Sequence, residues 1–213
     1  MIALVRYRLA ELWHSQRALP PVLLHTGLLA VLHSDDAGPA LPSAAVTAAA
    51  LLVVAGWLTI ALVGVEDAGQ RTVTRAHAGS VHRVLAGTVL TVLCCAAGLA
   101  VLATAWSQVS SGFAHPAADL AVVLLAHVVC AAFGTAVALP CSVVHRTGYA
   151  VIAATAVLAV TLLAEWLPLA HPLLVALSRG SAPPALLVRS TLTAVGALLA
   201  STLLVAAWVR RRS

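Results

Sequence analysis

Long stretches of this sequence contain no charged side chain. No Asp, Glu, Lys or Arg occurs between Asp36 and Glu66, or between Arg83 and Asp119. An apolar stretch of about 20 residues is long enough to cross a bilayer as an α-helix. Charged residues make up only 9% of the chain, whereas about a quarter is usual in soluble domains. The sequence therefore predicts an all-α, polytopic membrane protein.

Six apolar segments are predicted to span the membrane. They cover the residues from Pro21 to about 33, and then about 43–65, 84–106, 119–144, 149–164 and 186–209. The first is the weakest, because a half-inserted or kinked segment there would change the number of spans. We expect a six-helix transmembrane domain over residues 18–213, with no separate soluble domain.

Residues 1–17 have a different pattern. On a helix with about 100° per residue, they would form one apolar and one polar face. The apolar face consists of Ile2, Val5, Leu9, Leu12 and Trp13, and the polar face of Arg8, Glu11, His14 and Ser15. This division predicts an amphipathic helix that lies in the membrane interface.

Arginine is distributed unevenly among the predicted loops. Ten of the twelve arginines lie in the N-terminal region, in the loops after the second and fourth spans, and at the C-terminus. Only Arg179 and Arg189 lie on the other side. Since cytoplasmic loops are enriched in Lys and Arg, both termini are predicted to be cytoplasmic, which requires an even number of spans.

The cytoplasmic loop 66–83 is the longest polar interruption between two predicted spans. Most of it is compatible with a short helix. Gly69 is predicted to allow a sharp turn, and Gly79-Ser80 to end the helix, with Ser80 as the N-cap of the third span. A solvated connector whose arginines fix the topology remains one interpretation. The length of the loop favours a further role, because topology needs only a few arginines.

Several functions are excluded by the residue types present. The chain contains no lysine, so it has neither a GxxxxGK[ST] phosphate-binding loop nor a lysine Schiff base. Its cysteines, Cys94, Cys95, Cys130 and Cys141, lie in apolar segments without CxxC spacing, which indicates small buried side chains. No arrangement of residues indicates catalysis. We expect a protein that is not an enzyme, that binds no metal or cofactor itself, and that has no nucleic-acid partner.

Four polar residues in or near the spans are further candidates. His25 and His127 would lie within spans, where each either lines a substrate or proton path or bonds to a backbone carbonyl. Glu165 and Arg189 would lie near the outer surface, where they either pair as an outer gate or are solvated separately. Close helix packing is predicted at three glycines of the spans, Gly87, Gly98 and Gly134.

The order of these elements resembles the membrane subunit of an ABC transporter of the ABC-2 exporter type. In the loop after the second span, the residues that match the family are Glu66, Gly69, Gln70, Arg71, Thr72, Gly79, Ser80 and Gly87. The segment 165–185 is similar to the family's re-entrant extracellular helices, with Pro168 and Pro172 breaking them. The chain departs from the family where Gln70-Arg71 precede Thr72, and where Ala78-Gly79-Ser80 replaces a proline break.

The resemblance implies a permease that acts with other subunits. Two copies, or one copy and a paralogue, would form the translocation path, and a separate ATPase would supply ATP and Mg²⁺. The loop 66–83 would be the coupling helix, and Arg71, Arg75 and Arg83 would pair with acidic residues of the ATPase. The implied cargo is a hydrophobic or amphipathic small molecule, peptide or lipid.

The implied location is the cytoplasmic membrane of a bacterium, in contact with membrane lipid. The sequence also leaves open a stand-alone six-helix protein, such as a channel, a secondary carrier or a membrane chaperone, with no ATPase partner. The long polar loop is what distinguishes the two, because a stand-alone protein has little need of it.

Overall fold

The fold is described by a computed structural model that covers residues 1–34, 38–142, 147–164 and 170–212. Within these ranges all regular secondary structure is helical. In chain order the helices are α1 (Ile2–His14), α2 (Leu19–Leu32), α3 (Ala40–Val63), α4 (Ala68–Ala78), α5 (Val81–Ser110), α6 (Ala117–Cys141), α7 (Thr147–Leu163), α8 (His171–Ser178) and α9 (Pro184–Arg212). The predicted all-α class is confirmed.

Four helices in the described part of the chain are long and apolar enough to cross a membrane, namely α3, α5, α6 and α9. The chain is therefore a multi-pass helical membrane protein. The other two predicted spans correspond to α2 and α7, which are apolar but shorter, at 14 and 17 residues. At 1.5 Å per residue, α2 is only about 21 Å long, less than the roughly 30 Å of a bilayer core.

α3 lies at the centre of the fold, where it packs most extensively against α6. In its most apolar 18-residue stretch, 67% of α3 is buried, compared with 17% of the corresponding stretch of α9. The buried Thr59 hydroxyl is satisfied within the helix, since its Oγ1 donates to the Ala55 carbonyl at 2.8 Å. A uniformly apolar helix without a polar face is what such a central position requires.

The crossing of α3 and α6 depends on two glycines. A Cβ atom on Gly134 of α6 would overlap the backbone carbonyl of Leu52 and lie 3.2 Å from the backbone nitrogen of Gly56, and one on Gly56 of α3 would lie 3.4 Å from the Gly134 carbonyl oxygen. The two backbones therefore approach more closely than any larger residue allows. Of the predicted packing glycines, Gly134 fulfils this role. Gly87 does so as well, because a Cβ there would lie 2.5 Å from Leu4 Cδ2 of α1.

Two sequence predictions in this part of the fold are wrong. A Cβ on Gly98 would have no heavy atom within 4 Å, so this glycine does not serve close packing. Pro172 does not break a helix either, because it lies in the first turn of α8, where the missing N–H costs nothing. α8 packs against α3 and buries Leu173 and Leu177 completely. Glu165 and Pro168, at the start of the predicted re-entrant segment, lie outside the described residues.

Candidate functional site at the junction of α1 and α4

The polar loop contains a helix whose ends are set by local signals. The Asp67 carboxylate accepts a hydrogen bond from the Gln70 backbone N–H at 2.7 Å and so caps the start of α4. Gly79 ends the helix with a φ of +72°, a conformation that favours glycine. Ser80 Oγ then accepts from the Arg83 backbone N–H at 3.3 Å and caps α5, as predicted.

The predicted sharp turn at Gly69 is wrong. Gly69 lies inside α4, one residue after its start, and the change of direction occurs over residues 64–67. The turn ends at Asp67 and not at Gly69, because the short Asp67 carboxylate reaches the free N–H groups in the first turn of α4.

Arg8 and Glu66 form a buried ion pair that joins α1 to this segment. Arg8 Nη2 lies 2.9 Å from Glu66 Oε2, and both side chains are 3% exposed. The other oxygen of Glu66 accepts a hydrogen bond from Thr74 Oγ1 of α4 at 2.6 Å. Arg8 Nη1 also contacts Glu11 Oε2 at 3.2 Å. Because both oxygens of Glu66 have partners, the carboxylate is compensated in its buried position.

Gln70 makes a second connection between the two helices. Its amide Nε2 donates to the Tyr7 hydroxyl at 2.7 Å and to Glu11 Oε1 at 2.9 Å. Burial raises the pKa of the Glu11 carboxyl above its ordinary value, and the nearby Glu66 carboxylate acts in the same direction. Arg8 and Gln70 oppose this increase by stabilising the ionised form.

These contacts determine how α1 is oriented. Its polar residues Arg8 and Glu11 face the protein, and Leu12 is buried against α3 and α5. Ile2 and Trp13 point away from the protein and are 79% and 78% exposed. The predicted faces are therefore not kept apart as expected, because Leu12 of the predicted apolar face is buried in the protein together with Arg8 of the predicted polar face.

The predicted loop residues divide into two groups. Glu66 and Gln70 contact α1, whereas Arg71 and Arg83 contact nearby backbone carbonyls. Arg71 Nη2 donates to the Val63 carbonyl at 3.0 Å, and Arg83 Nη1 to the Ala78 carbonyl at 3.4 Å. Positive charge at the ends of helices α3 and α4 is favourable, because their last carbonyls lack helical partners. Gly69 and Thr72 are exposed, and Arg75 is half-buried.

An open groove of about 710 Å³ lies between α1 and α4. It is mainly apolar, and its lining consists of Met1, Ala3, Leu4, Tyr7, Gln70, Val73, Thr74, His77, Ala78 and Arg83. Val73 is 57% exposed there, although most of its neighbours on α4 are polar. The sequence did not reveal this groove, because its walls come from segments that are far apart in the chain.

The remaining candidate residues lie elsewhere. His25 and His127 are fully buried, on α2 and α6. His127 Nδ1 lies 2.7 Å from the Val123 carbonyl, and its Nε2 lies 3.0 Å from Thr47 Oγ1. Arg189 is exposed near the start of α9. Its predicted partner in an outer gate, Glu165, lies outside the described residues.

Residues that sequence reasoning missed are Tyr7, Arg8 and Glu11 as partners of the loop. The available signal was the pair Arg8 and Glu11, three residues apart on the polar face of the predicted interfacial helix. Within the ranges that the structure covers, no group of three or more His, Cys, Asp or Glu residues is placed to hold a metal ion.

The fold defines a multi-pass helical membrane protein, in which the N-terminal helix α1 is bound to a polar, helical loop. A comparison with protein-family models, with curated proteins and with solved structures finds no match for this chain.

Proposed function

We propose that this chain is the permease subunit of an ATP-driven exporter of the ABC-2 type, with α4 as the helix that receives force from a separate ATPase. The observation that carries the proposal is the fixed position of α4. It connects two of the long apolar helices, α3 and α5, and is linked to α1 through Glu66, which pairs with Arg8 and accepts a hydrogen bond from Thr74 of α4.

This arrangement is suited to transmit a displacement. α4 follows α3 after four residues and is separated from α5 by Gly79-Ser80 alone. α1 packs against α5 where Leu4 meets Gly87. A force on α4 would therefore act on α3, α5 and α1 together, as in rigid-body coupling of packed helices.

The side of α4 that points away from the groove is the proposed contact for the ATPase. Arg71, Thr72 and Arg75 are on the loop helix but do not line the groove. We infer that Arg71 and Arg75 face acidic residues of the ATPase, where charged rim contacts govern association rate and specificity. ATP and Mg²⁺ would be bound by that partner, because this chain lacks a lysine-containing phosphate loop.

The proposal includes six spans with both termini in the cytoplasm of a bacterium. α2 and α7 would complete the six, and their limited length would be accommodated by local thinning of the bilayer. Two copies would form the translocation path, and the scarcity of charge along the spans favours a hydrophobic or amphipathic cargo.

A pull-down tests the proposal. The tagged full-length protein is isolated in detergent from its native cells, co-purifying proteins are identified, and ATP turnover is measured. We expect a stoichiometric ATPase with the wild type and its loss with Arg71→Glu/Arg75→Glu. The single variant Arg75→Glu leaves the bond from Arg71 Nη2 to the Val63 carbonyl in place. A loss of the ATPase in this variant would therefore reflect weaker binding and not a misfolded loop.

The matched control is Arg179→Glu, a charge reversal at an exposed position just after α8. It should retain the ATPase. If the wild type is isolated without an ATPase, the proposal is wrong. The chain is then a stand-alone membrane protein without an ATPase. In that case the polar loop has a structural role, in which Arg71 and Arg83 bond to backbone carbonyls of this chain.

A further inference from the structure

The groove between α1 and α4 lies at one end of a long apolar helix. α5 begins at Val81, and no Asp, Glu, Lys or Arg follows Arg83 until Asp119. Arg83 therefore lies at the membrane surface, because the apolar segment that crosses the bilayer starts directly after it. Leu4, which lines the groove, packs against Gly87, four residues or about 6 Å further along α5. The groove is thus placed at the level where lipid headgroups meet acyl chains.

The walls of the groove are suited to a hydrocarbon chain. Ala3 and Leu4 of α1 face Val73 and Ala78 of α4 across it. Val73 is 57% exposed, so its apolar surface is open to whatever enters the groove. The volume of about 710 Å³ is in the range of sites that hold small organic molecules. At the membrane surface, apolar surface of this kind is stabilised by contact with acyl chains.

The polar part of the lining carries positive charge. Among the described residues that line the groove, Arg83 is the charged one and none is acidic. Arg83 Nη1 donates to the Ala78 carbonyl at 3.4 Å, which leaves four of the five guanidinium N–H groups for a ligand. His77 Nδ1 lies 3.0 Å from the Val73 carbonyl and so carries a hydrogen, and Nε2 remains for a further polar contact. The lining therefore combines an apolar surface with a cation.

The acids of the junction do not cancel this charge. Glu11 and Glu66 both contact Arg8, and neither lines the groove. The Gln70 amide, which does line it, donates to Glu11 Oε1 at 2.9 Å and to the Tyr7 hydroxyl at 2.7 Å. Because Tyr7 accepts this bond, its own hydroxyl hydrogen is available to an acceptor in the groove. An anionic group there would meet a cation and a donor.

We propose that this groove binds one anionic phospholipid, with its phosphate at Arg83 and an acyl chain along Leu4 and Val73. A guanidinium binds a phosphate through charge-assisted hydrogen bonds, and basic side chains at a membrane surface attract anionic lipids. The site is separate from the proposed ATPase contact, because Arg71 and Arg75 do not line the groove. The lipid would fill the space between α1 and α4 and so help to hold the two helices in place.

Native mass spectrometry of the full-length protein in detergent tests the proposal without an ATPase present. The protein is offered equal amounts of dioleoyl phosphatidylglycerol, which is anionic, and dioleoyl phosphatidylcholine, which has no net charge. We expect one phosphatidylglycerol molecule to be retained, with a preference of about fivefold or more over phosphatidylcholine. An excess of inorganic phosphate should not displace it, because phosphate lacks the acyl chain. Equal retention of the two lipids, or displacement by phosphate, would overturn the proposal.

Variants of Arg83 test the headgroup contact. Arg83→Gln should reduce the preference for phosphatidylglycerol by about fivefold, whereas Arg83→Lys keeps the charge and should retain most of it. The matched control is Arg6→Gln, at an exposed position of α1 outside the groove, which should leave the preference unchanged. Equal losses in Arg83→Gln and Arg6→Gln would mean that the lipid is attracted by surface charge in general, and the site would be refuted.

Variants of α4 test the acyl-chain contact and leave Arg83 intact if its own variants fail to fold. Val73→Gln replaces apolar surface in the groove and should weaken retention of phosphatidylglycerol by about threefold or more. Ala76→Gln makes the corresponding change at an exposed position of α4 outside the lining and should have no effect. Unchanged retention in Val73→Gln would show that the acyl chain does not lie in the groove.

Discussion

Arg8 Nη2 of α1 and Glu66 Oε2 of the polar loop lie 2.9 Å apart, and both side chains are almost completely buried. A pair in such a position differs from an exposed one, because neither charge can return to water without separating the two helices. The pair thereby fixes the position of α4 relative to α1, on which the proposed transmission of force depends.

Removal of one member of this pair is predicted to be severely destabilising. Arg8→Met leaves the carboxylates of Glu11 and Glu66 without their shared cation, and the expected loss is about 3–5 kcal/mol in the free energy of unfolding. Denaturant unfolding in detergent, followed by circular dichroism, measures this loss. The double variant Arg8→Met/Glu66→Met should lose clearly less than the sum of the single variants. Additive losses would mean that the two charges do not interact.

Loss of the Gln70 amide is predicted to loosen α1 without unfolding the protein. Gln70→Ala removes the bonds to Tyr7 and Glu11, which are partly open to solvent, so the expected cost is about 0.5–1.5 kcal/mol. Hydrogen exchange should show faster exchange in α1 and unchanged exchange in α6. Ala76→Gln, at an exposed position of the same helix, should leave α1 as protected as in the wild type. Equal effects of the two substitutions would contradict the role assigned to Gln70.

The junction is predicted to depend on pH through Glu11. Because the pKa of this carboxyl is raised in the folded protein, the folded state binds its proton more tightly than the unfolded state. Its contribution to stability is therefore fully present below the unfolded pKa of about 4.5, and it is lost as the pH rises through the higher folded value. Thermal unfolding between about pH 4 and pH 7 should show this loss in the wild type.

The control for the pH effect is Glu11→Gln, which cannot ionise but retains an oxygen that accepts from Gln70. This variant should lack that component of the pH dependence and be at least as stable as the wild type near neutral pH. If both proteins show the same pH dependence, the effect arises from other groups.

The crossing of α3 and α6 is predicted to tolerate no side chain at Gly134. Gly134→Ala places a methyl group against the Leu52 carbonyl and requires the helices to separate, at a cost of about 1–3 kcal/mol. Gly98→Ala provides a matched control, since its methyl group meets open space and alanine favours the helix. The melting temperatures of the two variants in the same detergent decide the point. A Gly134→Ala protein as stable as Gly98→Ala would show that the helices are not in close contact there.

Features set by neighbouring residues were predictable from the sequence. The end of α4 at Gly79 and the cap of α5 at Ser80 follow from local backbone geometry, so the prediction was correct. The prediction of a sharp turn at Gly69 was wrong, although it also depended only on neighbouring residues. A glycine permits a turn without requiring one, and the Asp67 carboxylate caps a helix that includes Gly69.

Contacts between distant residues were not predictable in this way. The polar face of α1 could be read from the sequence, yet nothing in it specifies that Arg8 pairs with Glu66 and not with lipid headgroups or water. The same holds for Gly98 and Gly134, which are equivalent as glycines in apolar helices. Only the neighbouring helix distinguishes them, because α3 lies against Gly134, whereas no other helix among the described residues comes within 4 Å of a Cβ placed on Gly98.

The sequence by itself determined that this chain is helical and crosses a membrane more than once. In a bilayer, the backbone N–H and C=O groups of a long uncharged segment find no water and must hydrogen-bond within the protein. A helix forms these bonds within the segment itself, whatever its neighbours are. The tertiary structure alone decided which polar groups are buried together, at the junction of α1 and α4 and at His127 with Thr47. The energy of a buried charge or imidazole depends on the atoms within a few ångströms of it, and those atoms come from distant parts of the chain.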